Sequence, residues 1–551
     1  MRQQNTVVAR LFKLRNQYSP GLTAEKEHLL RNLHCEQLKS REMLNTCYST
    51  LLFLLAYPDN KTVYSLSKTL LGQLEGFVKG SENNRVKLFN TGVIGSQVCA
   101  EFGFAMVKYL KAKYKEQVYI DSITEPTGQM RSVISVVMPA VESEIMQDEN
   151  TTWQLWMKKW IKPGEDLLDA LIAVFEQSPI RPEVKDELWT ALGIYITVDA
   201  VEHLQLPERL IKIHYHNKIL KTHSLAEKES EKPLQVKLSE SEAERILECG
   251  RMVLVHHLRE IDPVTFSSPS LVSYYQLTRG LSIALFGMTK DRRRPIDCYM
   301  GYVVFKNGLP LAYAGSWILF DSGRIGLNVF SPYRGGESMH TFEQILKAHK
   351  YVYRLNRFSV DPYQIGKHNS DGIKSGAFWL YYKMGFRPIL PEQKLLAESE
   401  HQKQLSAKGY RSPAVVLNKF ANSRLEINLG SKKAVDFDAT DLSLVYFNIV
   451  QKKYAGNREM AQQDSLKRLS ALLKLSKTSE SESIQYIMRN WCVILMRNES
   501  GLRGNKPLIE VLKKAFVLKA HGSEEDYMRE LQRSVLLKKF IEGIIKEHIL
   551  P

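Results

Sequence analysis

The sequence predicts an α+β fold in which a mixed β-sheet with helices is flanked by all-helical N- and C-terminal domains. Apolar residues recur every three or four positions before about residue 220 and again after Leu442, as in amphipathic helices. From Arg279 the apolar residues alternate with a period of two, as in strands. We therefore expect an all-helical domain at 1–225, a charged linker and connecting helix at 226–270, an α+β domain at 271–430 and a helical region at 431–551.

Composition and charge narrow the class of protein. The 551 residues are 44% hydrophobic and 25% charged, which suits two or three buried cores and excludes a disordered or fibrous chain. The formal net charge of +16 favours anionic partners such as cofactor phosphates, RNA or a membrane surface. Six scattered cysteines without a Cys-x-x-Cys pair argue against a zinc ribbon or a secreted disulfide scaffold, so we expect a cytoplasmic protein. The apolar run TLLFLLAY near the start is far shorter than a membrane span, and we expect none.

The first 225 residues carry a helical pattern broken by turn signals. Apolar residues at helical spacing include Leu51, Leu54, Leu55, Leu66, Leu70, Leu71, Leu167, Leu168, Leu171 and Ile172. Turn residues separate the runs at 57–60, 80–84, 125–128 and 162–164. No repeat of fixed period is present, so the pattern indicates a helical domain and not a solenoid.

A charged, polar stretch at 226–241 with one proline is typical of an exposed linker. Ser241 and Glu244 have the spacing of a capping box, which predicts a helix from there to about Glu260. Asp262-Pro263 lies beyond the predicted end of this helix. Arg259, Glu260 and Asp262 form either a salt-bridged corner or part of a pocket wall.

The α+β segment begins with four strand-like stretches, GLSIALFGM, CYMGYVVF, LPLAYAGSWILF and RIGLNVF. Asn307-Gly308 lies between the second and third, and this dipeptide predicts a tight hairpin turn. A helix is expected at 337–355, a strand at 357–363 and a helix at 374–384. The loop at 290–294 (KDRRR) is predicted to be solvated, with a phosphate or RNA clamp as the alternative.

The strand at 324–330 runs through SPYRGGES into a helix, which makes this turn the strongest candidate site. Gly335 and Gly336 allow backbone amides to approach an anion closely. The N-terminus of the following helix adds about half a positive charge. The turn therefore predicts a pyrophosphate cradle, with an ordinary tight turn as the alternative.

These elements, in this order, resemble the GNAT superfamily of N-acyltransferases. Its members run through a β-hairpin and a strand into an Arg/Gly-rich turn and helix, then a strand, an asparagine and a helix ending in Tyr-x-x-x-Gly-Phe. In this chain the matching parts are the hairpin at Asn307-Gly308, the turn Arg334-Gly335-Gly336, Asn369, and Tyr381 to Gly385-Phe386. The match covers roughly 281–389 and is most similar to a group of large multidomain bacterial proteins with an RGGES turn and an SGAFWFYYRLGFRP helix.

The resemblance implies an acyl-CoA-dependent N-acyltransferase that uses acetyl-CoA or another acyl-CoA and an amine acceptor. It places the cofactor pyrophosphate on the backbone amides of the turn, namely Arg334, Gly335, Gly336, Glu337 and Ser338.

The remaining roles fall on three further parts of the chain. A splayed strand end at Leu327 to Phe330, including Asn328 and Val329, would donate an amide to the thioester carbonyl. Tyr381 would protonate the departing thiolate, and Asn369 would orient the cofactor arm.

The chain departs from the superfamily pattern at the turn and in the preceding strand. Tyr333 and Ser338, or Pro332 and Glu337, stand where the usual turn has Gln/Arg and Gly/Ala. A Glu337 carboxylate would repel a pyrophosphate unless it turns away or caps the helix. The strand at 324–330 has no carboxylate for a general base; Asp321 and Glu337 are the nearest.

Several alternatives therefore remain. The α+β unit is either an acyltransferase or a catalytically degenerate GNAT-fold module for binding or assembly. A third alternative is an aminoacyl-tRNA-dependent transferase, which the net positive charge favours and the single predicted α+β unit disfavours. Tyr381 could instead be a core residue and Asn369 a turn residue. The histidines at 214, 216, 256 and 257 lack a matching ligand cluster, so no metal site is predicted.

Overall fold

The computed structural model describes residues 2–124, 129–147, 152–199, 205–221, 225, 232–430, 437–474 and 481–549. Across these ranges no helix combines the length and apolarity needed to cross a bilayer. The predicted α+β class is confirmed: a large mixed sheet is surrounded by helices.

The chain opens with a helical bundle. Its helices are α1 (Arg2–Leu14), α2 (Pro20–Arg31), α3 (Arg41–Ala56), α4 (Lys61–Lys79) and α5 (Glu82–Lys87). Side chains of Ser40 and Asn60 accept backbone N–H groups at the starts of α3 and α4, so the polar residues between the apolar runs cap the helices. Residues 51–56 of α3 are all buried, which makes α3 the central helix of this bundle.

The second part of the N-terminal region contains strands, so the prediction of an all-helical domain at 1–225 is wrong. Its elements are β1 (Val98–Glu101), α6 (Phe104–Tyr114), β2 (Val118–Ile123), α7 (Gln129–Val137), α8 (Ala140–Ser143), α9 (Trp153–Lys158), α10 (Leu167–Gln177), α11 (Pro182–Ala191) and β3 (Ile194–Val198). The three strands form an antiparallel sheet in the order β1-β3-β2. They are four to six residues long, too short for a clear period of two between amphipathic helices.

The predicted linker is partly structured. Residues 226–231 lie outside the described residues, but β4 (Leu234–Val236) pairs with the edge of the large sheet. The connecting helix α12 (Glu240–His256) begins earlier than predicted, because Ser239 and Glu242 form the capping box instead of Ser241 and Glu244. The sequence Ser-Glu-Ser-Glu-Ala-Glu at 239–244 offers both spacings, and the structure uses the first. A short helix, α13 (Asp262–Thr265), follows.

The large sheet is mixed. Its strands are β5 (Val272–Gln276), β6 (Leu281–Phe286), β7 (Cys298–Lys306), β8 (Leu309–Leu319), β9 (Ser322–Ile325), β10 (Asn328–Val329), β11 (Arg357–Val360), β12 (Arg387–Pro388) and β13 (Leu425–Asn428). The order is β12-β13-β11-β9-β8-β7-β6-β5-β4, with β10 beside β8. Strands β9 and β11 are parallel, and α14 (Ser338–Tyr353) connects them.

The predicted hairpin at Asn307-Gly308 is confirmed. Lys306 pairs with Leu309, and the two turn residues have φ values of 50° and 83°. Both positive φ values suit the Asn-Gly dipeptide, which populates the left-handed region more readily than other pairs.

The helices on the large sheet follow the predicted order, but one predicted helix is divided and one predicted strand is shorter. They are α14, α15 (Pro362–Ile365), α16 (Ser370–Ser375), α17 (Ala377–Lys383), α18 (Pro391–Ser406) and α19 (Ala414–Phe420). The helix predicted at 374–384 is divided because Gly376 has a φ of 66°. The strand predicted at 357–363 ends at Val360, because Asp361 caps α15 by accepting the N–H of Tyr363.

The described C-terminal residues are helical. The helices are α20 (Ala439–Tyr454), α21 (Arg458–Leu473), α22 (Glu482–Leu495), α23 (Glu499–Arg503), α24 (Lys506–His521), α25 (Glu524–Arg533) and α26 (Val535–Ile549). Gln532 of α25 donates to the carbonyls of Phe320 and Tyr353 at 2.9 and 2.6 Å. One hydrophobic core runs from α3 through the large sheet to α22.

Candidate functional site

The strand predicted at 324–330 is interrupted where the resemblance places a splay. Residues 322–324 pair in parallel with β11, whereas β10 pairs only with β8 within the described ladder. The break falls at Gly326 and Leu327. The interruption leaves a gap between β10 and β11, at the place where a thioester carbonyl would have to enter.

The side chain of Gln364, from α15, fills this gap. Its Oε1 atom accepts the N–H of Leu327 at 3.2 Å and the hydroxyl of Tyr381 at 3.3 Å. A Cβ atom at Gly326 would lie 2.7 Å from the Gln364 amide carbon, so the glycine permits this close approach. The free amide that the resemblance implies is therefore occupied by a protein side chain.

The three strand residues predicted to bind the cofactor belong to the sheet. Asn328 and Val329 pair with Tyr313 and Ala312 of β8. The Phe330 N–H donates to the carbonyl of Leu311 at 3.1 Å. The Phe330 ring is buried and stacks on His257 at 4.2 Å. In this conformation Phe330 is a core residue with a paired amide.

Tyr381 combines a core ring with a hydroxyl in the gap. Its side chain is 2% exposed, and its ring contacts Phe342 and Phe386 edge-on at 5.2 and 5.9 Å. Burial raises the pKa of the Tyr381 phenol above its ordinary value, although the nearby Leu327 amide opposes the shift. The hydroxyl therefore stays protonated and donates to Gln364.

The turn itself is closed by short-range hydrogen bonds. The Arg334 N–H donates to the carbonyl of Ser331 at 3.3 Å, and the Gly336 N–H donates to Tyr333 at 3.2 Å. Gly335 is exposed with a φ of 91°, so the turn requires a glycine there. These bonds match the alternative of a tight turn.

The guanidinium of Arg334 is 61% exposed and lies 3.5 Å from Asp371. An ion pair this exposed contributes little to stability.

Tyr57, at the end of α3, covers the turn. A Cβ atom at Gly336 would lie 2.5 Å from the Tyr57 ring, so the backbone of the turn is in close contact with that ring. The Tyr57 hydroxyl accepts the N–H of Glu337 at 3.4 Å. The N-terminal bundle thereby occupies the face of the turn where the resemblance places a pyrophosphate.

The Glu337 carboxylate turns away from the turn into a buried group of cations. Oε1 accepts from Arg279 at 2.6 Å and from the backbone N–H of Leu220 at 3.0 Å. Oε2 lies 3.2 Å from Lys306 Nζ and 3.6 Å from His216 Nε2. Glu337 is 1% exposed, so this is a buried charge cluster that ties the start of α14 to three distant segments.

The electrostatics of this cluster favour an ionised carboxylate. Burial alone would raise the pKa of Glu337, but His216, Lys306 and Arg279 outweigh it and hold the pKa well below its ordinary value. Burial lowers the pKa of the Lys306 ammonium to about 8, with Glu337 opposing that shift.

The last two predicted cofactor residues have local structural contacts. Ser338 is the first residue of α14 and is half-buried. Asn369 caps α16: its Oδ1 accepts the N–H of Gly372 at 3.2 Å, and its Nδ2 donates to the carbonyl of Tyr363 at 3.0 Å. Both polar atoms of Asn369 are used, as expected of a turn residue.

The structure thus forms two groups of residues near the predicted site. Leu327, Gln364 and Tyr381 meet in the gap of the sheet, and Tyr57 and Glu337 meet at the turn. Sequence reasoning missed Gln364 and Tyr57. Neither residue lies in a sequence motif. In the sequence, Tyr57 stands out only as part of the turn signal at 57–60 between two helices.

Two other expectations are changed by the structure. Asp321, the nearest carboxylate before the strand, pairs with Lys538 of α26. The loop at 290–294 is not simply solvated, because Arg292 is 13% exposed and pairs with Asp186 of α11. Among the described residues no group of three or more His, Cys, Asp or Glu side chains could hold a metal ion.

Comparison of the chain with protein-family models, with curated proteins and with solved structures finds no significant match. The GNAT resemblance therefore rests on the motifs and their order alone.

Proposed function

We propose that the GNAT-like α+β unit is a binding and assembly module that joins the N- and C-terminal regions, and not an active acyltransferase. The observation that carries this proposal is the use of the expected cofactor donors by protein atoms. The Leu327 amide and the Tyr381 hydroxyl both donate to Gln364, and the Glu337 amide donates to Tyr57. An acyl-CoA would have to replace all three contacts.

The contacts on the N-terminal side of the sheet support an assembly role. Asn307, at the β7–β8 turn, donates through Nδ2 to the carbonyls of Leu55 and Ala56, each at 3.2 Å. These carbonyls belong to the last turn of α3, where the helix itself leaves them without partners. The hairpin turn therefore caps a helix of the N-terminal bundle.

The C-terminal side is joined in a similar way. Lys519 of α24 is buried and donates to the carbonyl of Asp297 at 2.9 Å, while its charge pairs with Glu524 at 2.6 Å. Arg529 of α25 donates to the carbonyl of Val352 at 2.6 Å. Buried polar contacts of this kind hold the large sheet in one position relative to the N- and C-terminal regions.

A second candidate is the acyl-CoA-dependent N-acyltransferase, which one observation favours. The Leu327 amide and the Tyr381 hydroxyl converge on a single carbonyl oxygen, that of Gln364. A thioester carbonyl in the same position would receive an amide and a phenol, the donors that polarise it and protonate the leaving group. In this candidate Gln364 is a plug that the substrate displaces.

The aminoacyl-tRNA alternative needs a second α+β unit of the same kind. The other sheet among the described residues is three-stranded and fully antiparallel, without the parallel pair that flanks α14. This alternative has no structural observation in its favour.

Calorimetric titration of acetyl-CoA into the wild type and into Gln364→Ala separates the two candidates. If the α+β unit is an assembly module, neither the wild type nor Gln364→Ala shows saturable heat, because Tyr57 still covers the turn after the side chain at 364 is shortened. Saturable binding that appears or strengthens in Gln364→Ala and is lost in Gly336→Asp would contradict the module. In that event Tyr381→Phe should bind normally and turn over about ten- to a thousandfold more slowly.

A further inference from the structure

A large cleft lies where the three regions of the chain meet, away from the Gly335-Gly336 turn. Its volume is about 740 Å³, within the range of sites that hold small molecules. The N-terminal region contributes the corner between β1 and α6 and one side of α11. The central region contributes the start of α13 and the loop at 290–295, and α22 contributes Tyr486 and Asn490.

The charge of this cleft is opposite to that of the chain. Six carboxylates and three arginines line it, a formal surplus of three negative charges. The whole chain has a net charge of +16. The acidic residues are Glu101, Glu183, Asp186, Glu187, Glu260 and Asp262. A concave acidic surface on a basic protein concentrates cations and repels the anions that the rest of the surface attracts.

The three arginines are already bound to protein atoms. Arg292 pairs with Asp186, and its guanidinium lies 4.2 Å from the centroid of the Phe266 ring. Arg293 donates to the carbonyl of Gly522 at 2.7 Å. Arg294 pairs with Asp297 at 2.6 Å. These cations brace the cleft wall, and among the described residues Asp186 is the only one of the six carboxylates that forms an ion pair.

The carboxylates of α11 show most clearly that negative charge in the cleft lacks ion pairs. Glu183 and Glu187 are one helical turn apart and exposed, and within the described residues neither side chain makes a hydrogen bond or an ion pair. Asp186 lies between them; its Oδ1 atom is buried and has no hydrogen-bond partner in the described part of the chain. Glu183 and Glu187 therefore present unpaired negative charge to the cleft, while Asp186 is paired with Arg292 through Oδ2.

Glu260 and Asp262 add carboxylates to the lining, and the charge of Asp186 on α11 acts on Glu260. Glu260 accepts the N–H of Gly103 and the hydroxyl of Thr265, both at 2.8 Å, so its orientation is fixed. Burial raises the pKa of Glu260, and the negative charges of Asp262 and Asp186 add to the increase. A bound cation would relieve this repulsion.

The arrangement favours an extended organic cation over a metal ion. No three carboxylates among the described residues are grouped closely enough for a metal. They come instead from β1, α11 and the segment 260–262, around a cleft that Phe266 and the exposed Tyr486 also line. An alkyl chain with an ammonium group at each end can pair with carboxylates from separate elements while its methylene groups contact the Tyr486 ring.

We propose that this cleft binds an alkylamine that carries two or more ammonium groups, as a free polyamine or as neighbouring lysine side chains. The site involves none of the residues of the turn or the sheet gap, so it goes beyond the assembly role and does not depend on it.

Spermidine titration of the full chain tests the proposal. The test variant is the double substitution Glu183→Gln/Glu187→Gln. The matched control is Glu392→Gln/Glu398→Gln on α18, which removes the same charge from exposed positions and likewise includes a glutamate after a helix-initiating proline. We expect saturable binding to the wild type, about tenfold weaker binding to the test variant and a change below about twofold in the control.

Three outcomes would overturn the proposal. They are an absence of saturable spermidine binding, an equal loss of affinity in both double variants, and displacement of spermidine by Mg²⁺ at the same concentration of charge.

A trilysine peptide distinguishes the two sources of the ammonium groups, a free polyamine and lysine side chains. Tighter binding of the peptide supports lysine side chains as the ligand, and tighter binding of spermidine supports a free polyamine.

Discussion

Replacing Glu337 with glutamine is expected to lower the free energy of unfolding by about 3–5 kcal/mol, since it leaves buried cations without their counter-charge. Lys306 is fully buried and lies 3.2 Å from the carboxylate, and Arg279 lies 2.6 Å from it. Chemical denaturation at pH 7 measures the effect. The exposed variant Glu392→Gln serves as the control and should change the free energy by less than about 0.5 kcal/mol.

The pH dependence of this difference follows from the lowered pKa of Glu337. Because the folded pKa lies below the unfolded value of about 4.3, the unfolded state takes up a proton first as the pH falls. The contribution of the carboxylate is therefore complete above about pH 5 and decreases as the pH falls towards the folded pKa. The stability gap between wild type and Glu337→Gln should narrow in acid. A gap that is small at pH 7, or that widens in acid, would contradict the account of the cluster.

Replacing Asn307 with alanine is expected to lower the free energy of unfolding by about 2–4 kcal/mol, because its partners become buried and unpaired. Asn307 is 3% exposed, and its side chain bonds the carbonyls of Leu55, Ala56 and His214 and the N–H of His214. Alanine also fits poorly at the φ of 50°.

Asn307→Gly separates the two causes, because glycine accepts the positive φ but makes none of the side-chain hydrogen bonds. We expect Asn307→Gly to recover about 1 kcal/mol of the loss and to leave the remainder, as measured by the same denaturation experiment. Full recovery in Asn307→Gly would show that the turn is only a hairpin and that its contact with α3 contributes nothing.

The fold was predictable where a local pattern determines the structure. The Asn307-Gly308 turn needs only its own two residues, and α14 begins within one residue of the predicted start. Strands β1, β2 and β3 were missed because each is too short for its alternation to stand out. Pairing between strands distant in sequence stabilises them, and no local pattern reports such pairing.

The sequence indicates where the strand breaks and where the turn lies, but it does not indicate that protein side chains occupy both places. The order of strand, turn and helix predicted a splay at Leu327 to Phe330 and a turn at Gly336, and the break in the strand falls at Gly326 and Leu327. That Gln364 occupies the break and Tyr57 covers the turn depends on tertiary contacts. The hydrogen bond between Tyr57 and Glu337 joins residues 280 positions apart. The expected repulsion by Glu337 is avoided for the same reason, since its counter-ions Arg279 and Lys306 come from two other segments of the chain.

Hydrogen exchange at the amides of Leu327, Gly336 and Glu337, with and without acetyl-CoA, tests the central claim most directly. The account predicts that these amides are protected in the protein alone, because each donates to a protein acceptor, and that acetyl-CoA leaves their exchange unchanged. Fast exchange in the protein alone followed by protection on addition of acetyl-CoA would contradict it and would identify the turn as a cofactor site.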